Sequence, residues 1–162
     1  MTSRDVRRME PRDYPTILEL NAANVEFLSP LTLDRLTWIH ALAAESLVGV
    51  IGDEVVAYAV IIAPGTAYDS ANYAWFEERY EDFLYLDRLV VAAPFRGQGW
   101  GALLHQYLAE LAQLHQRVVC EVNHEPPNLV SLNFHQRLGF VVIDYLAHRS
   151  GLVTAMLSRE LR

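Results

Sequence analysis

Hydrophobic positions along the chain fall into short apolar runs and helical stripes, divided by clusters of turn-forming residues. Residues 5–9 (DVRRM) open as a short strand. Residues 10–28 begin a helix with Ile17, Leu18 and Leu20 to one side, and residues 32–45 form a second, with Leu33, Leu36, Ile39, His40 and Ala43 near helical spacing. The run 46–63 is largely apolar, and Gly52 with Asp53 splits it into a hairpin of two strands. Residues 64–82 break the rhythm with turn formers and aromatics; they predict a long loop with one helical turn at its end, and loops of that length are often functional. Strands and helices then alternate: strand 83–92, helix 99–116, strand 117–123, helix 127–139, and closing strands 140–148 and 151–161. The order β-α-α-β-β-β-α-β-α-β-β predicts an α/β (mixed α+β) fold, one mixed sheet with helices on both faces. A length of 162 residues suits a single domain, 1–162.

Composition narrows the function classes. An apolar content of 52% with 20% charged residues is that of a folded globular chain, not a disordered one. No apolar run approaches the roughly 18–20 residues of a membrane helix, and the opening MTSRDVRRMEPRDY lacks the apolar centre of a secretory signal. One cysteine, Cys120, leaves no internal disulfide and fits a reducing compartment, so the cytoplasm is the expected location. A net charge of −7 argues against nucleic acid as partner. All 13 basic residues are arginine, so any chemistry that needs lysine is excluded. No metal is expected.

The most informative stretch is APFRGQGWGALL, where Gly97, Gly99 and Gly101 stand between a strand and an amphipathic helix. Glycine is a poor helix former, but a helix start carries unpaired N–H groups and a partial positive charge. Without Cβ atoms the backbone can approach an anion, so RGQGWG has the makings of a phosphate cradle, with Arg96 adding charge. A tight packing turn is the plainer alternative. A P-loop needs lysine and is excluded. A dinucleotide fingerprint is matched by Gly97, Gly99 and Ala102, and Glu121 ends the next strand; yet AAPFR separates the glycines from their strand, and too little chain follows for a doubly wound domain.

The segment LDRLVVAAPFRGQGWGALL resembles the central motif of the GNAT superfamily of acetyl-CoA-dependent N-acetyltransferases, [RQ]-x-x-G-x-[GA], carried by Arg96, Gly99 and Gly101. NLVSLNFHQRLGF (128–140) is similar to that family's later motif, N-x-x-[SA]-x-x-F-Y-x-x-x-G-F. The predicted element order agrees with that fold, whose sheet is mixed and mostly antiparallel. The resemblance implies acetyl-CoA as co-substrate. It implies contacts to the pantetheine arm and acetyl carbonyl from Leu89, Val90 and Val91. Arg96, Gly97, Gln98, Gly99, Trp100, Gly101 and Ala102 would surround the pyrophosphate. The later motif adds Asn128, Ser131 and Phe134. A splay between strands 83–92 and 117–123 would admit the thioester. Direct attack by the amine is implied, so Cys120 fills core rather than acting as a nucleophile.

Three residues are candidates for the proton chemistry. Asp87 is the first choice as general base and Glu121, on the neighbouring strand, the second; a structural salt bridge is the alternative for Asp87. Strict alternation would place Asp87 and Leu89 on one face of their strand and Arg88 on the other. Where the family pattern has tyrosine after phenylalanine, this chain has His135, which could protonate the leaving thiolate or lie as an ordinary helix residue. Asn128 doubles as a natural helix N-cap, and Asn123 is a lesser site candidate. Glu77, Glu78, Glu81, Asp82 and Asp87, with Tyr68, Asp69, Tyr73, Trp75 and Phe76 before them, could draw in a cationic amine or simply form a solvated face and a lid. The acceptor is a small amine, an amino acid or a peptide N-terminus. A homodimer is the expected assembly if the chain associates. Two other functions compete: a catalytically degenerate CoA-binding sensor, and a dinucleotide-dependent oxidoreductase.

Overall fold

The computed structural model describes residues 3–161. Seven strands join in one sheet, in the order β1-β2-β3-β4-β5-β7-β6. They are β1 (Arg4–Arg8), β2 (Glu45–Ile51), β3 (Glu54–Ile62), β4 (Leu84–Val91), β5 (Arg117–Glu125), β6 (Val141–Ala147) and β7 (Val153–Glu160). Every neighbouring pair is antiparallel except β4 with β5. The helices are α1 (Tyr14–Ala22), α2 (Leu33–Leu42), α3 (Ala71–Arg79), α4 (Trp100–Leu111) and α5 (Leu129–Arg137). Mixed, mostly antiparallel and covered on both faces, the sheet is the one the sequence predicts. A doubly wound parallel sheet, which the dinucleotide reading required, is not formed. Among the described residues, no helix is long and apolar enough to cross a membrane.

Two apolar layers sandwich the sheet. Ile17, Leu36, Ile39, Tyr73 and Phe76 from α1, α2 and α3 pack on one face with Tyr58 and Tyr85. Leu104 and Leu108 of α4 pack on the other with Leu86, Val118 and Leu157, and Cys120 is buried there as expected. The large buried aromatic area of the first layer lets a short helix such as α3, marginal on its own, hold its place.

Helix α3 lies where a loop with one helical turn is expected. Ser70 caps it by accepting from the Tyr73 N–H. Tyr73, Trp75 and Phe76 are buried in the core, while Tyr68 lines the smaller cavity. The acidic run disperses as well. Glu77 accepts from the Gly65 N–H and the Tyr73 hydroxyl, and Asp82 holds His115 and the Gln116 N–H. Of that run only Asp87 lines a cavity between the sheet's splayed strands.

β4 carries the feature that matters most for the site. Ile61 pairs with Leu86 and Val60 with Arg88, leaving Asp87 as the extra residue of a β-bulge. The bulge resets the alternation. Asp87 and Arg88 both turn to the α1–α3 face, where they meet Tyr68 and Asn21, while Leu86 and Leu89 face α4. Strict alternation fails at this one point.

Candidate active site

β4 and β5 are paired only at Leu84–Val118 and Tyr85–Val119. Beyond those pairs the strands part, and the edge of β4 from Leu86 to Val91 that faces β5 keeps its backbone groups without a strand partner. Two cavities open on this splay. One, of about 900 Å³, is lined by Leu89, Val91, Arg96, Gly97, Gly99, Gly101, Ala102, Asn128, Ser131 and Phe134, among others. The other, of about 540 Å³, lies among the α1–α2 connection, the start of α3 and the β6–β7 turn. Both include Phe27, Leu28, Asp87, Arg88, Glu121 and Asn123. The two chambers therefore meet where β4 and β5 separate.

The three glycines serve different ends. Gly99 is the N-cap of α4 with φ +86°, a left-handed conformation that a side chain disfavours. Gly97 is exposed, and a Cβ there would meet nothing within 4 Å. The helix start behind them has no acidic residue in its first turn, so its unpaired N–H groups face the larger cavity without a competing charge. Gly101 is needed for packing: a Cβ there would lie 2.8 Å from the Phe134 ring. The Phe134 ring thus seats α5 against α4. Trp100 is buried with its ring beneath Gly49 and under the Arg4 guanidinium, so of this residue only the backbone is left to a ligand.

Arg96 is exposed and held at the cavity rim, its Nη2 donating to Asn24 Oδ1 at 2.7 Å and its Nε to the Val91 carbonyl at 3.2 Å. The Gln98 carbonyl accepts from Arg4 Nη1 at 2.7 Å. Val90 points into the α1–α3 core, while Leu89 and Val91 face the α4 side and the cavity. Asn128 is the N-cap of α5, its Oδ1 accepting from the Ser131 N–H. A loop of open backbone donors, a rim arginine and an unpaired strand edge together fit an extended phosphorylated ligand.

The carboxylates change rank. Asp87 accepts from the Tyr68 hydroxyl at 2.6 Å and from Arg88 Nε at 2.8 Å, and both side chains of the ion pair are only 6% exposed. Arg88 Nη1 in turn donates to Asn21, which also receives the Tyr58 hydroxyl. Asp87 thus forms the buried salt bridge that was the alternative to its being the base, while lining both cavities. Glu121 has no cationic partner among the described residues. The Tyr85 hydroxyl lies 2.8 and 2.7 Å from its two oxygens, and Asn72 Nδ2 lies 3.2 Å from Oε1. Burial pushes the Glu121 carboxyl up to about 8; the charge of Asp87 adds to the rise and Tyr85 opposes it.

His135 lines the larger cavity, yet its ring nitrogens already have partners in the fold. It is buried between α4 and α5, with Nδ1 2.8 Å from the Ser131 carbonyl and Nε2 3.3 Å from His105 Nε2. A proton on Nδ1 satisfies the Ser131 carbonyl and leaves Nε2 to accept from His105. Burial lowers both imidazoles, His105 to about 3, so neither is a charged donor near neutrality. These histidines resist protonation when folded, so the unfolded chain binds more protons below about pH 6.5, and their contribution to stability falls as the pH falls. The loss is at most about 1.4 kcal/mol per pH unit for each group. Glu121 works in the opposite sense above the unfolded carboxyl pKa. His105→Leu is therefore expected to flatten the fall in urea midpoint between pH 6.5 and 5; an unchanged fall would disprove the neutral pair.

Similarity to known proteins agrees with this geometry. The profile of the acetyltransferase (GNAT) family matches residues 5–140. The chain belongs to that family. No curated protein matches it by sequence. Among solved structures, this GNAT protein is similar to Ard1 from Thermoplasma volcanium, with TM-score 0.79, 16% identity and 98% of each chain covered. An N-acetyltransferase from Staphylococcus aureus Mu50 gives TM-score 0.75 at 18% identity, covering 99% of this chain and 100% of that one. The ribosomal-protein-S18-alanine N-acetyltransferase from Escherichia coli gives 0.72 at 12%, covering 98% and 94%. At these identities the likeness is one of fold.

Tyr68, Asn72 and Tyr85 bond the two carboxylates and Thr154 bonds Asn72, and no sequence pattern marks Asn72, Tyr85 or Thr154 as such partners. Ser70, a capping residue ahead of an aromatic cluster, was the local signal for α3. Nothing in the sequence brings Thr154 to Asn72.

Proposed function

We propose that this GNAT protein transfers an acetyl group from acetyl-CoA to a primary amine by direct attack, with Glu121 as general base. The observation that carries this reading is the meeting of the two cavities at Glu121, in the gap between β4 and β5. The backbone of Gly97, Gly99 and the start of α4, with Arg96, would hold the pyrophosphate. The free edge of β4 at Leu89 and Val91 would align the pantetheine arm, with Asn128, Ser131 and Phe134 across from it. Bound acetyl-CoA supplies an activated acyl thioester. As the amine nitrogen bonds to the acetyl carbon, the C–S bond breaks and CoA departs as thiolate, to be protonated by water; Glu121 takes the proton the amine loses, and a carboxyl near 8 suits that exchange around neutral pH. Most of the remaining acceleration is positional, from holding the two substrates in adjoining chambers.

The acceptor chamber favours an amine with no carboxylate beside it. Glu26, Asp69, Asp87 and Glu121 line it against Arg35 and Arg88. Both arginines are already paired, Arg35 with Asp69 and Arg88 with Asp87. A substrate carboxylate would enter surplus negative charge with no free arginine to receive it.

The test is direct. Acetyl-CoA, and not NADH, is expected to raise the Tm of the purified protein with ligand concentration. Thiol release is then followed with glycinamide and glycine as acceptors, and the amide is expected to give a kcat/KM at least about tenfold higher. No Tm rise with acetyl-CoA overturns the transferase reading. A rise without turnover on any amine makes the chain a CoA-binding sensor. Equal use of glycine overturns the acceptor assignment alone.

A further inference from the structure

The segment from Tyr68 to Asn72, at the start of α3, reaches both carboxylates of the proposed site. Tyr68 donates to Asp87, and Asn72 Nδ2 lies within hydrogen-bond distance of Glu121. The second contact belongs to a longer chain. Thr154 Oγ1 donates to Asn72 Oδ1 at 2.9 Å, and His148 Nε2 lies 3.0 Å from Thr154 Oγ1. Thr154 is buried in β7, with its hydroxyl directed at α3. His148, in the β6–β7 turn, lines the acceptor cavity with Asn72 and Thr154.

The direction of this chain is fixed by what each group can give. A hydroxyl has one proton. If Thr154 donates to Asn72, its oxygen is free to accept from His148. Asn72 Oδ1 is then occupied as an acceptor, so its amide hydrogens point to Glu121. With the proton of His148 on Nε2, every proton in the chain is directed toward the carboxylate. Tyr85 completes the set from the opposite side. We infer that Asn72 is a positioning residue for this GNAT protein: held by Thr154 and His148, its amide fixes Glu121 toward the acceptor cavity and favours the ionised carboxylate.

The inference rests on Glu121 being the base, but its test does not depend on turnover alone. A donor to a carboxylate stabilises the charged form, so losing it raises the titration point. Carbon-13 titration of the glutamate side chains in the full chain reads that point without any substrate. In Asn72→Leu the Glu121 titration is expected to move upward by roughly half to one pH unit. Thr154→Val should move it in the same direction by less, since the Asn72 amide is then free to turn. Thr154→Ser keeps the hydroxyl and should return the titration toward that of the parent.

The rising limb of kcat/KM against pH should follow the same order, with activity lost at pH 7 and recovered well above pH 8. A loss equal at all pH values, with the Glu121 titration unmoved in both Asn72→Leu and Thr154→Val, overturns the positioning role. Shifted titrations in a protein that acetylates nothing uphold the positioning of Glu121 and overturn the transferase reading instead.

Discussion

Glu121→Gln is expected to lower kcat/KM by about 10²–10⁴-fold while the rise in Tm on adding acetyl-CoA persists. Glutamine keeps the shape and can still meet the Tyr85 hydroxyl and the Asn72 amide, but it cannot take a proton. The rising limb of the pH profile should disappear with the carboxyl. Stability should not suffer. In the fold Glu121 is held up to about 8, above its unfolded value, so at neutral pH unfolding releases a proton and lets the carboxylate ionise in water. Removing the carboxyl removes that advantage of the unfolded state, and the urea midpoint at pH 7 is expected to stay level or rise. Activity within tenfold of the parent, with its pH limb intact, would show that another group takes the proton.

Asp87→Asn is expected to give the opposite pattern, a loss of about 3–5 kcal/mol in stability. Arg88 is buried, its Nε on Asp87 and its Nη1 on Asn21. Asparagine leaves that cation buried without its counter-charge, and the Tyr68 hydroxyl loses a charged acceptor. Urea unfolding measures the loss. Replacing the pair together, by Asp87→Asn with Arg88→Met, should recover part of it, because no buried charge is then left alone. A single variant as stable as the parent would mean that Asp87 is not the structural anion of this site. The two carboxylates are thus separable by experiment: Glu121 by its proton, Asp87 by its charge.

The features that point to a phosphorylated ligand are mostly a matter of local chemistry. The glycines before an amphipathic helix, the arginine ahead of them and the asparagine that starts α5 are each legible in a few consecutive residues. Their geometry in the fold is local too: Gly99 caps α4 and Asn128 caps α5. Even so, one glycine was legible only in part. Gly101 stands at its position because Phe134, 33 residues on, lies against its Cα, and the spacing of the motif says nothing of that contact.

The proton chemistry lay further from reach. Alternation along β4 places Asp87 and Arg88 on opposite faces, and a single bulge against Val60 and Ile61 brings them together. A bulge is settled by the pairing of two strands, so no pattern within β4 reveals it. For His135, the deciding neighbour is His105 on another helix. For Glu121, it is the lack of an ion pair among the described residues and the presence of Tyr85, Asn72 and, behind them, Thr154. A pKa depends on what surrounds a group in space.

The sequence by itself therefore determined the strands and helices with clear periodicity, the single mixed sheet and the glycine-rich start of α4, because these depend on neighbours a few residues apart. Tertiary structure alone decided that α3 forms, that Asp87 pairs with Arg88, that His135 meets His105 in a buried site and that Glu121 lies beside Tyr85 and Asn72 where β4 and β5 part. Each of those depends on burial and on partners from other elements, and the energy of a charge or a donor is set by the groups that fold around it.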